Sequence, residues 1–365
     1  IISELDLFQI YLENSKYKDR VKIVGVTGTN GKSTAVTLLH HIFEKNNIPC
    51  SLVGNIGKSI FSSKELREGV YIMEISSYQL ENSNSFSPDY ACILNLSSDH
   101  IDRHGSIKKY ASEKLKIFQN LNSNQYGIVN LNHKELKNGI KKLPKLIKKR
   151  IINIDFRNKF FLFHDISKKI TIKKTITNFR ILNHNLSGDH SDQNVFITFK
   201  ISELLGLKRS KILNAVESFK GLEHRQELVL SNNGITIIND SKATNFESLI
   251  TALKNYKNIY LICGGLAKDD NIKVLNKYIN QLVMVFVIGL NENPFFNYFN
   301  ERTKTYYVKN LSNAVRMALS SVKDSKSKST ILFSPGAASF DQFKNFEVRG
   351  EKFKKLIRFN KTHAG

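Results

Sequence analysis

Residues 21–34 read VKIVGVTGTNGKST, and this stretch decides the fold. A short apolar run leads into a glycine-rich loop that closes with Gly31, Lys32 and Ser33, and the helical pattern AVTLLHHIFEK follows. Proteins bind phosphate with this order of strand, loop and helix. Backbone N–H groups and the positive helix end face the anion, the lysine reaches the terminal phosphates, and the hydroxyl can hold Mg²⁺. The stretch therefore indicates a nucleotide-phosphate site.

The loop departs from the strict phosphate-loop spacing G-x-x-x-x-G-K-[ST]. That spacing requires glycine at position 26, where Val26 stands, and Gly25 comes one residue too early. The stretch is thus either a chance match or a variant loop. The rest of the chain has to decide between the two.

Length and composition indicate a globular protein of two or three domains. The chain has 365 residues, of which 41% are hydrophobic and 10% aromatic. No apolar run reaches the roughly 20 residues that span a bilayer, and no stretch resembles a signal peptide, so we expect no membrane partner. Cys50, Cys92 and Cys263 share no metal-type spacing, which favours a reducing, cytoplasmic setting.

The formal charge of +23 raises the hypothesis of a nucleic-acid partner. The lysines are scattered, however, with local clusters at 141–150, 167–174 and 322–329. The chain is also rich in Ile and Asn and has no Trp, as an AT-biased genome would produce. We therefore favour compositional drift and anionic small substrates, with no nucleic-acid partner.

Apolar runs alternate with helix-length amphipathic segments, which predicts an α/β fold with parallel sheets. The first set of predicted strands is 21–26, 50–54, 70–76, 90–96 and 126–131, with helices at 35–46 and 106–121. Residues 151–180 consist of short alternating pieces, which predict a small antiparallel addition to the sheet. Residues 191–219 are again predicted to be helical. A second set follows at 234–240, 258–265, 283–289, 304–308 and 329–336. We place a domain boundary near Gly221–Arg225, giving domains 1–221 and 222–365.

Two strand ends downstream of the loop carry candidate metal ligands. Glu74 ends the apolar run VYIMEIS, where a carboxylate can hold Mg²⁺ or orient a water; Ser76 follows it. The next run ends in DHIDRH, residues 99–104, which offers His100. A zinc site there is the alternative, but no further His or Cys has a helpful spacing and Arg103 would repel a cation. We favour a Mg²⁺ site beside a nucleotide.

Two further turns combine polar groups with strand ends. NDSKATN, residues 239–245, crowds charged and hydroxyl groups into a strand-to-helix turn, more than one helix cap requires. SPGAASFDQFKNFEVRG, residues 334–350, ends a strand and is predicted to open a helix, with Ser339 and backbone N–H groups able to meet a carboxylate. On pattern alone, Phe340, Phe343 and Phe346 are expected in the core.

Six segments in order, spread from Val21 to Arg349, resemble the Mur ligases of peptidoglycan synthesis. They are GTNGKST, ESS, DHIDRH, HRQE, DSKATN and SPGAASFDQFKNFEVRG. The family's own phosphate loop has the form T-G-T-N-G-K-[ST], which explains the irregular spacing. The last two segments resemble the members that add D-glutamate to UDP-N-acetylmuramoyl-L-alanine. The resemblance implies a central ATP-binding domain, a C-terminal Rossmann-like domain and a monomer.

The resemblance also implies a role for each matching residue. ATP phosphates would be bound by Gly28, Thr29, Asn30, Gly31, Lys32, Ser33 and Thr34. Mg²⁺ would be held by Ser33, Glu74, His100 and a carbamylated Lys114. The remainder of the nucleotide would be contacted by Asn194, Arg225, Asp240 and Lys242. The muramoyl substrate and D-glutamate would be bound by Asn55, Ser76, Lys242, Thr244, Lys268, Ser339 and Phe340. On pattern alone, Lys114 would be a surface lysine.

The implied reaction is ATP-driven amide formation. Lys32, Glu74, His100 and Lys114 would carry the catalysis. The alanyl carboxylate would attack the γ-phosphate to give an acyl phosphate, and the amine of D-glutamate would then displace phosphate. The C-terminal domain would close over the nucleotide.

Two departures from the family pattern bear on activity. The usual His-Asn pair reads His190-Ser191, so one nucleotide contact would be lost or moved. About twenty residues precede the phosphate strand, where the family carries an N-terminal UDP-binding domain; we expect this chain alone to ligate weakly or not at all.

Three alternatives remain open from the sequence. One is a sibling ligase that adds another amino acid, or a folylpolyglutamate synthase. The second is a nucleic-acid-associated phosphate-loop ATPase, which only the charge supports, since no platform of aromatic and basic residues is present. The third is a non-catalytic binder, which the intact Lys32, Glu74, His100 and Lys114 argue against.

Overall fold

The computed structural model describes residues 2–56, 58–61, 67–97, 101–131, 133–157, 160–165, 170–172, 186, 189–266, 271–289, 294–323 and 327–362. The chain divides into two compact units, Ile1–Phe219 and Lys220–Gly365. Each unit is a sheet with helices, so the predicted α/β class is confirmed. None of the helices in the described part of the chain has the length and apolar content needed to cross a bilayer.

The first unit contains an eight-stranded sheet. Its strands are β1 Val21–Thr27, β2 Cys50–Gly54, β3 Gly69–Glu74, β4 Tyr90–Ile93, β5 Tyr126–Val129, β6 Ile151–Arg157, β7 Phe160–Asp165 and β8 Ile170–Ile172. Its described helices are α1 Glu4–Glu13, α2 Lys32–Lys45, α3 Ser77–Glu81, α4 Ile101–His104, α5 Ile107–Leu115, α6 Lys134–Lys142, α7 Lys145–Lys148, α8 Asp189–Leu204 and α9 Arg209–Glu217, with a 3₁₀ helix at Lys116–Phe118.

The strand order of this sheet is β2-β3-β1-β4-β5-β6-β7-β8. The strands from β2 to β6 are parallel to their neighbours, and β7 and β8 extend the sheet as antiparallel strands. The short alternating pieces at 151–180 predicted this antiparallel extension. Because the chain leaves β1 for β2 and later crosses to β4 on the other side, β1 lies at the switch point of the topology. Ligands of open α/β sheets bind at such points, beyond the carboxyl ends of the strands.

Helix α2 follows β1 directly and packs one apolar face on the sheet. Its buried side chains include Val36, Leu39 and Phe43, which join a core cluster with Val24 and Val26 of β1. The helix begins at Lys32, three residues before the predicted start. Lys32 and Ser33 therefore lie in its first turn, where the backbone N–H groups point out of the helix end.

The second unit has a six-stranded sheet of order β13-β12-β11-β14-β10-β9. Its strands are β9 Glu227–Asn232, β10 Ile235–Asn239, β11 Ile259–Gly264, β12 Leu282–Ile288, β13 Thr305–Lys309 and β14 Ser329–Phe333. Its described helices are α10 Phe246–Asn255, α11 Pro294–Asn300, α12 Leu311–Lys323 and α13 Phe346–Thr362, with a 3₁₀ helix at Ile272–Gln281. All neighbours are parallel except β9, an antiparallel edge strand that the sequence did not predict.

Helix α13 corrects one prediction. The segment 334–350 was expected to open a helix directly after its strand, but the helix begins only at Phe346. Phe340 was expected in the core and is instead 68% exposed, while Phe343 packs against the core as predicted. An exposed phenylalanine in the connecting segment is available for contact with a ligand, although apolar periodicity alone assigned it to packing.

Helix α1 is attached to the first unit by a buried carboxylate. Both oxygens of Asp6 accept hydrogen bonds from the segment after α3, with backbone N–H donors at Asn84, Ser85 and Phe86 and hydroxyl donors at Ser83 and Ser85. Burial alone would raise the pKa of this carboxyl, but these hydrogen bonds outweigh it and hold the pKa well below its usual value.

We expect Asp6→Asn to lower the free energy of unfolding by roughly 2–3 kcal/mol at neutral pH, the loss typical when a charged acceptor is removed. Because the pKa is lower in the folded state, the stabilisation is present above the unfolded value of 3.8 and disappears as the pH falls. Urea unfolding at pH 7 and pH 3 measures both effects. The exposed Asp19→Asn is the control, and equal stability of the two variants at pH 7 would contradict the assignment.

Candidate functional site

The loop after β1 is fixed by the end of β4. Leu94 N donates to Thr27 O at 2.9 Å, and Thr29 N donates to Asn95 O at 3.2 Å. The Asn95 side chain also forms two hydrogen bonds with the backbone of Asn30. Its Oδ1 accepts from the N–H of Asn30 and its Nδ2 donates to the carbonyl oxygen of Asn30, each at 2.9 Å. Sequence reasoning missed Asn95, because its only signal is its position in the strand-end run NLSS.

Two lysines converge on one carbonyl group of this loop. Lys32 Nζ donates to the carbonyl oxygens of Gly28 and Thr29, both at 2.9 Å. Lys114 Nζ, on α5, donates to the same Gly28 oxygen at 2.9 Å and lies 4.4 Å from the centre of the Tyr110 ring. Lys114 is 1% exposed, so the pattern-based expectation of a surface lysine is wrong. Two ammonium groups at one oxygen, that of Lys114 buried and that of Lys32 half-buried, make the loop attractive to anions.

Glu74 lies at the adjacent strand end and is 3% exposed. Its strand register pairs it with Val26, immediately before the loop. Its Oε1 accepts a hydrogen bond from Asn55 Nδ2 at 3.2 Å, whereas its Oε2 is buried without a hydrogen-bond partner among the described residues. A buried carboxylate oxygen left in this way is costly, and a bound cation would satisfy it.

Asn194 on α8 lies against the phosphate loop at Gly31. It is 4% exposed, and its Oδ1 has no hydrogen-bond partner among the described residues. A Cβ built on Gly31 would lie 2.5 Å from its Nδ2, and Gly31 has a φ of 83°. Glycine is therefore required at position 31 for both reasons. The structure thus brings Gly31 and Asn194 together although they are far apart in sequence.

The remaining predicted residues of the first unit are placed as follows. Ser33 is buried in the first turn of α2, and Thr34 follows it, half-buried. Ser76 caps α3 and exchanges hydrogen bonds with Gln79, so its hydroxyl has a structural role of its own. His100 lies outside the described residues. Its neighbour in the same segment, His104, is buried and bonds through Nε2 to Ser77 Oγ at 3.0 Å.

A small cavity of about 160 Å³ lies beside the loop at the ends of β4 and β5. Its lining residues are mainly polar: Asn95, Leu96, Asn130, His133 and Gln193. The volume is below the roughly 300–1,000 Å³ usual for a complete small-molecule site. The cavity could therefore hold one end of a ligand whose charged part lies at the loop.

In the second unit, the turn after β10 meets the segment after β14. Asp240 is 4% exposed; its Oδ2 accepts from Ser334 Oγ at 2.7 Å and its Oδ1 from Gln226 N at 3.1 Å. Burial raises the pKa of this carboxyl to about 7, against the opposing effect of those hydrogen bonds. Thr244 is half-buried in the same turn, and α10 is capped by Asn245.

Arg349 of α13 joins these two segments. The guanidinium is 1% exposed and donates to the backbone oxygens of Ser241 at 2.7 Å and Ala337 at 3.1 Å. Its Nε also donates to Ser241 Oγ at 3.1 Å. In the sequence, Arg349 is recognisable only as the end of a family-like segment. Its role as a buried connection between two turns requires the tertiary structure.

Lys242 and Phe346 form a contact that the sequence did not predict. The Lys242 ammonium lies 5.2 Å from the centre of the Phe346 ring. Phe346 was assigned to the core, but it is only half-buried at the start of α13. Ser339 is 2% exposed in the same connecting segment, and Lys268 lies outside the described residues.

The comparisons with known proteins point in one direction. Residues 26–201 match the Mur ligase middle domain. The chain is 34% identical over 372 residues to a UDP-N-acetylmuramoylalanine–D-glutamate ligase from Rickettsia prowazekii, covering 98% of this chain and 79% of that protein. It is 32% identical over 401 residues to the ligase of the same name from Wolbachia pipientis, covering 93% and 78%.

Solved structures show the same fold at low sequence identity. The MurF ligase from Thermotoga maritima in complex with ADP has a TM-score of 0.61 and 17% identity, covering 99% of this chain and 86% of that one. A folylpolyglutamate synthase from the same organism has a TM-score of 0.63 and 14% identity, covering 97% and 94%.

The raised pKa of Asp240 gives a testable pH dependence. The folded protein holds a proton here up to pH about 7, whereas the unfolded chain releases it near 3.8. The stability contributed by this group therefore falls as pH rises between those values, at most by roughly 1.4 kcal/mol per pH unit. We expect Asp240→Asn to remove this slope in urea unfolding from pH 4.5 to 7.5. The exposed Glu347→Gln should retain it, and a slope unchanged in Asp240→Asn would refute the assignment.

Proposed function

The chain belongs to the Mur ligase family, and we propose that it joins D-glutamate to UDP-N-acetylmuramoyl-L-alanine at the expense of ATP. Two relatives that bear the name of this reaction match 98% and 93% of the chain. The observation in the site that supports it best is the pair of ammonium groups on the Gly28 carbonyl beside Glu74. Such a site suits a reaction that brings several anions together.

The first unit would position ATP and promote phosphoryl transfer. We assign the ATP phosphates to the loop 28–34, with Lys32 turning from the loop carbonyls to the terminal phosphates. The alanyl carboxylate of the substrate attacks the γ-phosphorus, the bond to the β-phosphate breaks, and ADP leaves with an acyl phosphate formed. The amine of D-glutamate then attacks the acyl carbon. Phosphate departs, and the amine loses a proton to give the amide.

Magnesium fits the residues present at the first unit's site. The buried Oε2 of Glu74 lacks a partner among the described residues, and Ser33 lies in the first turn of the neighbouring helix. Glu74, Ser33 and His100 would hold the ion. When bound, the ion would neutralise phosphate charge in the transition state. Asn55 would orient the Glu74 carboxylate through its bond to Oε1.

Lys114 would act in a modified form. An ammonium group near a divalent cation would repel it. In carbamylation the ammonium first loses a proton, the free amine attacks carbon dioxide, and a second proton leaves as the N–C bond forms, so an anionic carbamate replaces the positive charge. Lys114 Nζ lies 2.9 Å from Gly28 O, at the loop assigned to the phosphates, and this position is consistent with a carbamate that would face metal and phosphate. Labelling with ¹³C-bicarbonate, followed by NMR of the intact protein, tests the modification directly.

The second unit would supply the remaining ligand contacts. We assign the nucleotide to Arg225, Asp240 and Lys242, with Asn194 of the first unit. We assign D-glutamate to Lys242, Thr244, Lys268, Ser339 and Phe340. The high exposure of Phe340 is consistent with ligand contact. The contact of Phe346 with Lys242 adds Phe346 to this group.

The second candidate function is a sibling ligase reaction in which an amino acid other than D-glutamate is added. Folylpolyglutamate synthase shares the fold over 97% of the chain, but at 14% identity that likeness carries no information on substrate. We expect phosphate release that depends on UDP-N-acetylmuramoyl-L-alanine to be highest with D-glutamate, and near background with L-glutamate, L-lysine and diaminopimelate. Coupled phosphate detection with each amino acid measures this. A preference for one of the other three would assign the chain to a sibling reaction.

Replacing Lys32 should affect the chemical step. We expect Lys32→Met to lower kcat by about 100-fold or more, since one preorganised charge on the reacting group is removed. Lys45→Met is the matched control, because Lys45 is exposed at the other end of the same helix. Full turnover by Lys32→Met, with Lys45→Met unchanged, would exclude a phosphate-binding role for this lysine.

A further inference from the structure

We propose that Lys354 is a positioning residue, which fixes the loop that presents Arg225. Lys354 lies on α13, far along the chain from that loop, and no sequence motif marks it. The inference rests on the proposed function, because it takes Arg225 to contact the nucleotide. It adds a residue that would touch neither substrate nor cofactor.

The loop around Arg225 has an unusual backbone. His224 has a φ of 61° and Gln226 a φ of 44°, so two non-glycine residues in the left-handed region flank the arginine. Each such residue costs free energy and persists only where the surroundings enforce it. Some other part of the second unit must therefore hold this loop.

Lys354 provides that restraint through charge. Its side chain is 6% exposed and its Nζ donates to Glu223 Oε1 at 3.1 Å and to Glu227 Oε1 at 3.2 Å, the residues at the two ends of the loop. Glu351 forms a third ion pair from the same helix. Burial alone would lower the pKa of this lysine, but the bonds from the three carboxylates raise it above its usual value, so the ammonium stays charged.

The carboxylates in turn fix the strained backbone. Glu227 Oε2 accepts from His224 N and from Asn239 Nδ2, both at 2.9 Å. Gly350, one turn before Lys354, gives the His224 ring its space: a Cβ there would lie 2.2 Å from His224 Nδ1. One face of α13 therefore holds the loop both by charge and by close contact.

The same loop is bonded to Lys242 and Asp240, the two other residues of the second unit assigned to the nucleotide. His224 O accepts from Lys242 N at 2.9 Å, and Gln226 N donates to Asp240 Oδ1 at 3.1 Å. Arg225, Lys242 and Asp240 thus depend on one backbone arrangement. Weakening the restraint at Lys354 should loosen the arginine first, since Lys242 and Asp240 also belong to the end of β10 and its following turn.

The cluster could also be read as a metal site. Ligand atoms of Glu223, His224 and Glu351 lie within 4.8 Å of one another. Lys354 Nζ already bonds to two of these carboxylates, however, and to Glu227 as well. The cation of this cluster is the lysine itself.

The test compares Lys354→Met with Lys355→Met, the adjacent exposed lysine of the same helix. Binding of Mg·ADP to the full chain is measured by isothermal titration calorimetry, alone and in an Arg225→Ala background, and folding is checked by circular dichroism. We expect Lys354→Met to weaken ADP binding about tenfold and Lys355→Met by less than twofold. In the Arg225→Ala background, Lys354→Met should have little further effect, because the contact it positions is already gone.

Three outcomes separate the possibilities. Unchanged ADP affinity in a folded Lys354→Met protein, or an effect equally large without Arg225, overturns the positioning role. Failure of the unsubstituted chain to bind ADP contradicts the proposed function instead. If Lys354→Met does not fold, Glu227→Gln replaces it in the same double-mutant cycle with Arg225→Ala. This variant keeps the shape of the side chain and removes one charge from the restraint. Additive effects of Glu227→Gln and Arg225→Ala on ADP binding would again refute the inference.

Discussion

The carbonyl oxygen of Gly28 accepts hydrogen bonds from two ammonium groups, and the site of the first unit depends on this arrangement. Lys32 arrives from the helix that follows the loop, and Lys114 from a helix about eighty residues later. Two like charges held this close repel each other, and an anion bound at the loop would reduce the repulsion. In the proposed function, the phosphate groups of ATP would supply this anion, and carbamylation of Lys114 would remove one of the two positive charges. Both parts of the proposed chemistry would therefore act on the same pair of charges, Lys32 and Lys114.

Local signals in the sequence predicted much of the fold. The alternation of apolar runs and helical segments was sufficient to predict two parallel sheets. The short alternating pieces at 151–180 predicted the antiparallel strands β7 and β8. Strand β9 was missed because its side chains are half-buried or exposed and do not form a continuous apolar run. The start of α13 was misplaced because small residues after β14 make a connecting segment rather than a helix end.

The candidate site was less accessible to local reasoning. The residues next to Lys114 in the sequence are typical of a surface lysine. Only the family resemblance and the fold show that it lies at the phosphate loop. Asn95, Arg349 and Phe346 were missed for a related reason: each acts through a partner distant in the chain, and pattern carries no information on such pairs. Phe340 is the reverse case, because apolar periodicity assigned this large residue to the core and the structure leaves it 68% exposed.

Both units place their ligand-binding candidates by the same topological device. In the first, β1 lies between β3 and β4. The phosphate loop follows β1, Glu74 is the last residue of β3, and Asn95 follows β4. In the second, β14 lies between β11 and β10, and the turns after β14 and β10 carry Ser339 and Asp240. The charged residues have different partners in the two units. In the first, Lys32 and Lys114 bond to the phosphate loop, whose glycines and backbone donors suit any nucleotide phosphate, whereas in the second Arg349 and Lys354 bond to the turns themselves and fix them. Discrimination between amino acids requires fixed polar groups that are left unpaired by the wrong substrate. Specificity is therefore expected to reside in the second unit, and the loop at 28–34 to determine only the energy source.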